Sequence, residues 1–236
     1  MQIIHNKDLN EILNSNEIQL FKDLQRILSE INKDTNLTRL IEGYDYWISQ
    51  VYDSIWPFYL SPHKTLDGKK FIDIGSGCGF PGLAYAITHP NSEVYLVDSS
   101  RKKTEALKQI IDTLKLSNKI FVINDRIEKI AHNASYRNIF DIGATRAVGS
   151  PSTVAEYILP MLNKRGCGLI YCGKWNKKDE DKLRNSLDIL KGSIAEIKKT
   201  QLPEHKGERN VIFIKPEGNC PDSYPRAIGK PAKYPL

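Results

Sequence analysis

Several features that would settle a function quickly are missing from this 236-residue chain. No apolar run approaches the roughly 20 residues of a membrane span, so neither a transmembrane helix nor a membrane partner is expected. The opening stretch MQIIHNKDLNEILNSNEIQLF has no basic segment followed by an apolar one, which argues against a secretory signal. It also lacks arginine and carries acids, unlike a transit peptide. Cys78, Cys167, Cys172 and Cys220 form no C-x-x-C pair and the five histidines are scattered, so no metal is expected. Free thiols in a reducing cytoplasm are the simpler reading, and the cytoplasm is the expected location. There is no internal repeat and no His/Asp or Cys arrangement of the kind that marks a nucleophile.

What is present is ordinary for a globular protein with a real core: 40% hydrophobic and 26% charged residues. Lysine and arginine total 34 against 28 acids, a net charge of +6. That excess is mild support for a polyanionic partner, about as well explained by a basic surface with no such role.

Along the chain, Leu20, Leu24, Ile27, Leu28 and Ile31 share a helical face, and 44–56 repeats the pattern with Trp47, Val51 and Ile55. Residues 1–68 therefore read as a helical extension. After Gly68 short apolar strands alternate with helices: strands at 71–74, 93–98, 119–125, within 139–148, 166–173, 193–202 and 210–216, with helices at 83–87, 101–116, 152–162 and 177–190 between them. Such alternation predicts a parallel sheet covered on both faces. The last two strands are too close for a crossover and must be antiparallel neighbours. The domain at 69–216 is thus expected to be an α/β, Rossmann-like fold of the class I S-adenosylmethionine-dependent methyltransferase type. Its sheet would be seven-stranded and mostly parallel, with an antiparallel last strand. Residues 217–236 form a basic tail with four prolines in 221–236, expected to lie extended on the surface or to order on RNA.

Four glycines fall in the twelve residues FIDIGSGCGFPG, 71–82. Gly77, Gly79 and Gly82 fit the G-x-G-x-x-G dinucleotide fingerprint, with Asp98 placed as a ribose-binding acid. In that fingerprint, however, the first glycine directly follows the strand, and here Gly75 holds that place. Read from Gly75, the pattern includes Asp73 inside the strand, where a carboxylate would repel a pyrophosphate but suit a ligand with cationic amino and sulfonium groups. Asp98 would then bind ribose hydroxyls, and Asp125 or its neighbours would lie near adenine. Helix caps and solvated strand ends are the plainer explanation for each acid singly. The ordered set favours a methyl donor over a nicotinamide, with both readings open.

DIGSGCGFPGLAYAI, VYLVDSSRKKTEALKQ, NDRIE and FDIGATRAV together resemble the RsmG family, also called glucose-inhibited division protein B. The match extends to Asn36-Leu37-Thr38, Asp53-Ser54-Ile55, Gly207-Glu208-Arg209 and the ending YPRAIGKPAKYPL. The resemblance implies transfer of a methyl group from S-adenosylmethionine to N7 of a guanine in small-subunit (16S) ribosomal RNA. It implies donor contacts from Asp73, Gly75, Gly77, Phe80, Asp98, Ser99, Ser100, Ile127 and Glu128, with Arg146 at the mouth of the site positioning donor or substrate. Lys174, Arg209 and Arg226 would contact RNA. Gln50, Trp175 and Asn210 depart from the family's pattern, where histidine, glycine and histidine are usual, and place the edge of the RNA surface in question. The partner would be the RNA or the 30S subunit, and the protein a monomer.

The chemistry agrees with what is missing. Guanine N7 has an in-plane lone pair and no hydrogen, so its attack on a sulfonium methyl needs positioning rather than a general base. Arg146 could bond guanine O6 or a phosphate, or simply pair with an acid such as Asp141. A same-fold methyltransferase with another acceptor, and a non-catalytic nucleotide- or RNA-binding module, are the alternatives.

Overall fold

The structure is a computed structural model and describes residues 7–59, 67–116 and 120–236. The first six residues of the opening stretch, the end of the helical extension and Lys119 of the expected third strand lie outside the described residues.

The N-terminal unit begins with α1 (Lys7–Ile12) and α2 (Ser15–Thr35). Asn14 caps α2 reciprocally: its side chain accepts from the Glu17 N–H at 3.0 Å, and Glu17 accepts from the Asn14 N–H at 2.8 Å. The chain leaves α2 through Asn36 in a left-handed conformation. Phe21, Leu24, Ile27, Leu28 and Ile31 are buried, so Phe21 takes the place expected for Leu20, which is only partly covered. Each such side chain contributes about 1.5–3 kcal/mol by leaving water.

The helix expected over 44–56 is present but not uniform. A turn of α-helix, α3 (Gly43–Tyr46), widens into a π-helix at Trp47–Tyr52 and returns as α4 (Asp53–Tyr59). Val51 and Ile55 are buried while Trp47 is partly so. The π segment carries Ser49 and Gln50 inward; such segments occur often at functional sites.

The sheet follows: β1 (Lys70–Ile74), β2 (Glu93–Val97), β3 (Ile120–Ile123), β4 (Phe140–Arg146), β5 (Leu162–Cys172), β6 (Gly192–Leu202) and β7 (Gly207–Pro216), in the order β3-β2-β1-β4-β5-β7-β6. All pairings are parallel except those of β7, antiparallel to both β5 and β6. This is the expected class I arrangement. Five further helices, α5 (Gly82–Thr88), α6 (Arg101–Leu114), α7 (Ile127–Ile130), α8 (Pro151–Ile158) and α9 (Lys177–Leu190), cover the two faces. Alternating residues feed the two cores. Phe71 and Leu169 point into the core shared with α2, α5 and α6, whereas Ile72 and Ile170 point into that of α8 and α9. Among the described residues no helix is long and apolar enough to cross a membrane.

The tail, ending in the short α10 (Lys230–Lys233), is ordered against the protein itself. The Arg137 guanidinium donates to the carbonyls of Cys220, Pro221 and Tyr224. Ser186 Oγ donates to the Leu236 carbonyl at 3.0 Å.

Candidate active site

Strand order reverses between β1 and β4, and the glycine loop leaves β1 at that switch point, where open α/β sheets bind ligands. Gly75 turns immediately after the strand with φ +76°. The Gly75 and Ser76 N–H groups both donate to the Val97 carbonyl, at 2.8 and 3.0 Å. A Cβ on Gly75 would lie 2.4 Å from Val148 Cγ2, whereas one on Gly77 (φ +57°) would meet nothing nearer than 3.8 Å. Gly77 therefore presents open backbone.

Asp73 stands behind this loop rather than on its open side. Its Oδ2 accepts from the Gly82 N–H at 2.9 Å, and its Oδ1 is buried with no hydrogen-bond partner. Burial pushes the Asp73 carboxyl up to about 7, against the opposing pull of the Gly82 N–H and Arg146. Asp98 directly follows β2 and ties the loop to the next helix: Oδ2 accepts from Gly77 N–H at 3.0 Å and Oδ1 from Ser100 N–H at 2.8 Å. Ser100 occupies the N-cap position of α6 without a side-chain capping bond, and Ser99 is exposed beside it.

A cavity of about 590 Å³ opens between the loop and the N-terminal unit. The sheet and its loops contribute Gly77, Phe80, Arg146 and Arg209 to its lining, and the N-terminal unit contributes Gln50 and Asp53. Arg146, last residue of β4, spans the two. Its Nη1 donates to the Ser49 carbonyl at 2.8 Å and to Asp53 Oδ2 at 3.3 Å, and its Nη2 to Gln50 Oε1. The guanidinium also lies 6.0 Å from the Phe80 ring centroid. Arg209 Nε donates to the same Asp53 oxygen at 3.2 Å. A larger hollow, about 1070 Å³, lies at the opposite strand ends beside Lys69, Asp141 and Arg165. Its place, away from the switch point, argues against it as the donor site.

Several expectations are corrected. The acid paired with Arg146 is Asp53; Asp141 instead accepts from the Lys70 N–H and the Asn163 amide. Arg209 lies in β7 rather than in the hairpin loop, because that strand starts at Gly207. Arg226 is not free for RNA. It forms a two-toothed pair with Glu156, which is 0% exposed, and fastens the tail to α8. Lys174 is exposed, as an RNA contact requires. Asp125 is held by Lys129 Nζ at 2.8 Å and by the Arg126 N–H, interactions that keep its carboxyl below the usual range. Ile127 is buried, and the Glu128 carboxylate accepts from Arg126, Tyr157 and the Gly229 N–H. Its side chain is thus taken up by Arg126, Tyr157 and the tail.

The residues that depart from the family pattern are interior. Gln50 is buried and donates to Thr38 Oγ1 and Cys78 Sγ. Asn210 is buried and donates to the Gly173 carbonyl, and Trp175 packs against the core under α9. The sequence singled out Asp53 only within the Asp53-Ser54-Ile55 match and Gln50 only as a departure at the edge of the RNA surface; neither was expected to hold Arg146.

The family model described as rRNA small subunit methyltransferase G matches residues 17–212. A ribosomal RNA small subunit methyltransferase G of Prochlorococcus marinus subsp. pastoris is 61% identical over 229 residues, covering 97% of this chain and 96% of that protein. The same-named protein of P. marinus strain NATL1A is 44% identical over 93% of this chain and 89% of its own length. Among solved structures, the O-methyltransferase from Bacillus cereus in complex with SAH superposes with a TM-score of 0.56. It is 14% identical and covers 82% of this chain and 90% of that one, a likeness of fold alone.

Proposed function

This chain belongs to the rRNA small subunit methyltransferase G family, and we propose that it methylates N7 of one guanine in small-subunit ribosomal RNA, with S-adenosylmethionine as donor. The observation that carries the reading is the cavity lined by both the open Gly77 backbone and the Arg146–Asp53 pair. The residues present fit a cationic donor. Asp73 Oδ1 is a buried oxygen without a partner just behind the loop, and Gly77 leaves room for a ligand against the backbone. Asp98 supports this reading by holding the Gly77 N–H at 3.0 Å; with Ser99 and Ser100 it would bind the ribose hydroxyls, and Ile127 and Glu128 would flank the adenine. When bound, S-adenosylmethionine supplies an electrophilic methyl on a sulfonium.

The chain's own part is geometric. Phe80 and Arg146 hold the acceptor base edge-on to the loop, which is most of what an in-line displacement requires. Arg146 keeps its positive charge on the N-terminal wall by pairing with Asp53. Exposed Lys174 and the partly exposed Arg209 border the cavity side from which RNA would approach. The protein works as a cytoplasmic monomer, on a base presented in a loop or turned out of its stack.

The test is transfer from labelled S-adenosylmethionine to 30S subunits and to naked small-subunit RNA from a strain lacking the modification, with the product mapped by chemical cleavage. One 7-methylguanine is expected. Donor binding without transfer to either RNA would move the function to another acceptor.

A further inference from the structure

Asp53 is the first residue of α4 and is 3% exposed, yet it lines the cavity. Its two carboxylate oxygens differ sharply. Oδ2 accepts from Arg146 Nη1 and Arg209 Nε, at 3.3 and 3.2 Å. Oδ1 is buried and accepts nothing. A buried charged acceptor left without a donor is costly, and a fold keeps one only where something repays it. The two arginines do not compete for Oδ1, since both lie on the other oxygen. Arg146 meanwhile reaches from Asp53 toward the Phe80 ring, with N–H groups left beyond its bonds to Ser49, Gln50 and Asp53.

Behind the wall surface, then, lies a buried acceptor without a partner, next to guanidinium donors. The Watson–Crick edge of guanine reads acceptor, donor, donor: O6, N1–H and the N2 amino group. Adenine reads donor then acceptor, which would set its N6 amino against a guanidinium and its N1 lone pair against a carboxylate. The wall therefore complements guanine and opposes adenine. Gripping that edge leaves N7, which neighbours O6 on the adjoining edge of the purine, free of a hydrogen bond to the wall.

We infer that Asp53 selects the base: its Oδ1 accepts from N1–H and the N2 amino group of the target guanine, while Arg146 donates to O6. This rests on the proposed function and names the group that gives it specificity. Carboxylate acceptance from a base amino group is a known mode of direct readout.

The test is a two-by-two comparison of wild type and Asp53→Asn on RNA carrying guanosine or inosine at the target position. Inosine keeps N7, O6 and N1–H and lacks only the N2 amino group. Wild-type kcat/KM is expected to fall about tenfold on inosine, the discrimination typical of one lost base contact. Asp53→Asn should fall at least that far on guanosine and show no further loss on inosine, while binding S-adenosylmethionine within about twofold of wild type. Equal inosine losses in both proteins would mean that Asp53 and the amino group act independently, which overturns the inference. Should the variant not fold, the wild-type arm decides alone, since indifference to inosine also overturns it. Absence of wild-type transfer to guanosine would instead overturn the function on which the inference rests.

Discussion

Arg146 Nη1 donates to Asp53 Oδ2 across 3.3 Å, joining the end of β4 to the start of α4, residues 93 positions apart. The pair docks the N-terminal unit on the sheet and closes the cavity in the same contact. Arg146 satisfies three acceptors because its guanidinium is a planar fork. Arg146→Lys offers one ammonium and cannot span them. We expect methyl transfer to fall about a hundredfold, the scale of a misplacement near 1 Å, with donor affinity little changed. Single-turnover transfer beside calorimetric donor titration checks this, and a wild-type rate would contradict it.

The loop glycines should separate folding from binding. Gly75→Ala places a methyl 2.4 Å from Val148 Cγ2 at a φ of +76°, so it should lower the melting temperature and reduce soluble yield. Gly77→Ala meets nothing nearer than 3.8 Å, so its cost is the left-handed backbone alone, about 1–2 kcal/mol. It should fold yet bind S-adenosylmethionine at least tenfold more weakly, because the new methyl occupies the open side of the loop. Normal donor affinity in folded Gly77→Ala would remove that residue from the site.

These contrasts explain what could be read from the sequence. The glycine frame, the seven strands and the antiparallel β7 were legible because each has a local cause: the tight turn after β1, short apolar runs between helices, and a connection too short for a crossover. The wall of the cavity was not. Asp53 and Gln50 sit on a helix whose periodicity reads as core, and their meaning comes from Arg146, which arrives through tertiary contact. Arg226 misled for the converse reason. A basic residue in a basic tail looks solvated until its partner, Glu156, is found buried on α8.

Asp73 should impose a pH dependence on stability. An unfolded aspartate titrates near 3.8, and in the folded protein burial raises this carboxyl to about 7. Between those values the folded state holds a proton that the unfolded state has lost. Stability from this group is therefore full below about pH 4 and declines until pH 7, above which the deficit is constant. Asp73→Asn removes the titration and keeps an amide oxygen for the Gly82 N–H. Its melting temperature should match wild type near pH 4 and exceed it by a margin that grows to pH 7, at about 2–4 °C per kcal/mol for a chain of this size. Parallel curves across that range would show that Asp73 does not titrate there.

Arg226 and Glu156 should behave as a structural pair rather than an RNA contact. Arg226 donates through Nε and Nη2 to a carboxylate with no exposure, and Nη2 also reaches the Tyr234 carbonyl. Arg226→Met leaves that carboxylate buried and unpaired, a loss expected at about 3–5 kcal/mol. Adding Glu156→Leu removes the stranded charge, so the double variant should recover much of the stability that the single one loses. Denaturant unfolding of the three proteins measures this directly. An RNA contact would give a different signature: Arg226→Met would fold normally, bind RNA more weakly, and lower the salt dependence of that binding by about one ion. The double variant, with its tail restored, should bind RNA as tightly as wild type, and a lasting defect there would return Arg226 to the RNA surface.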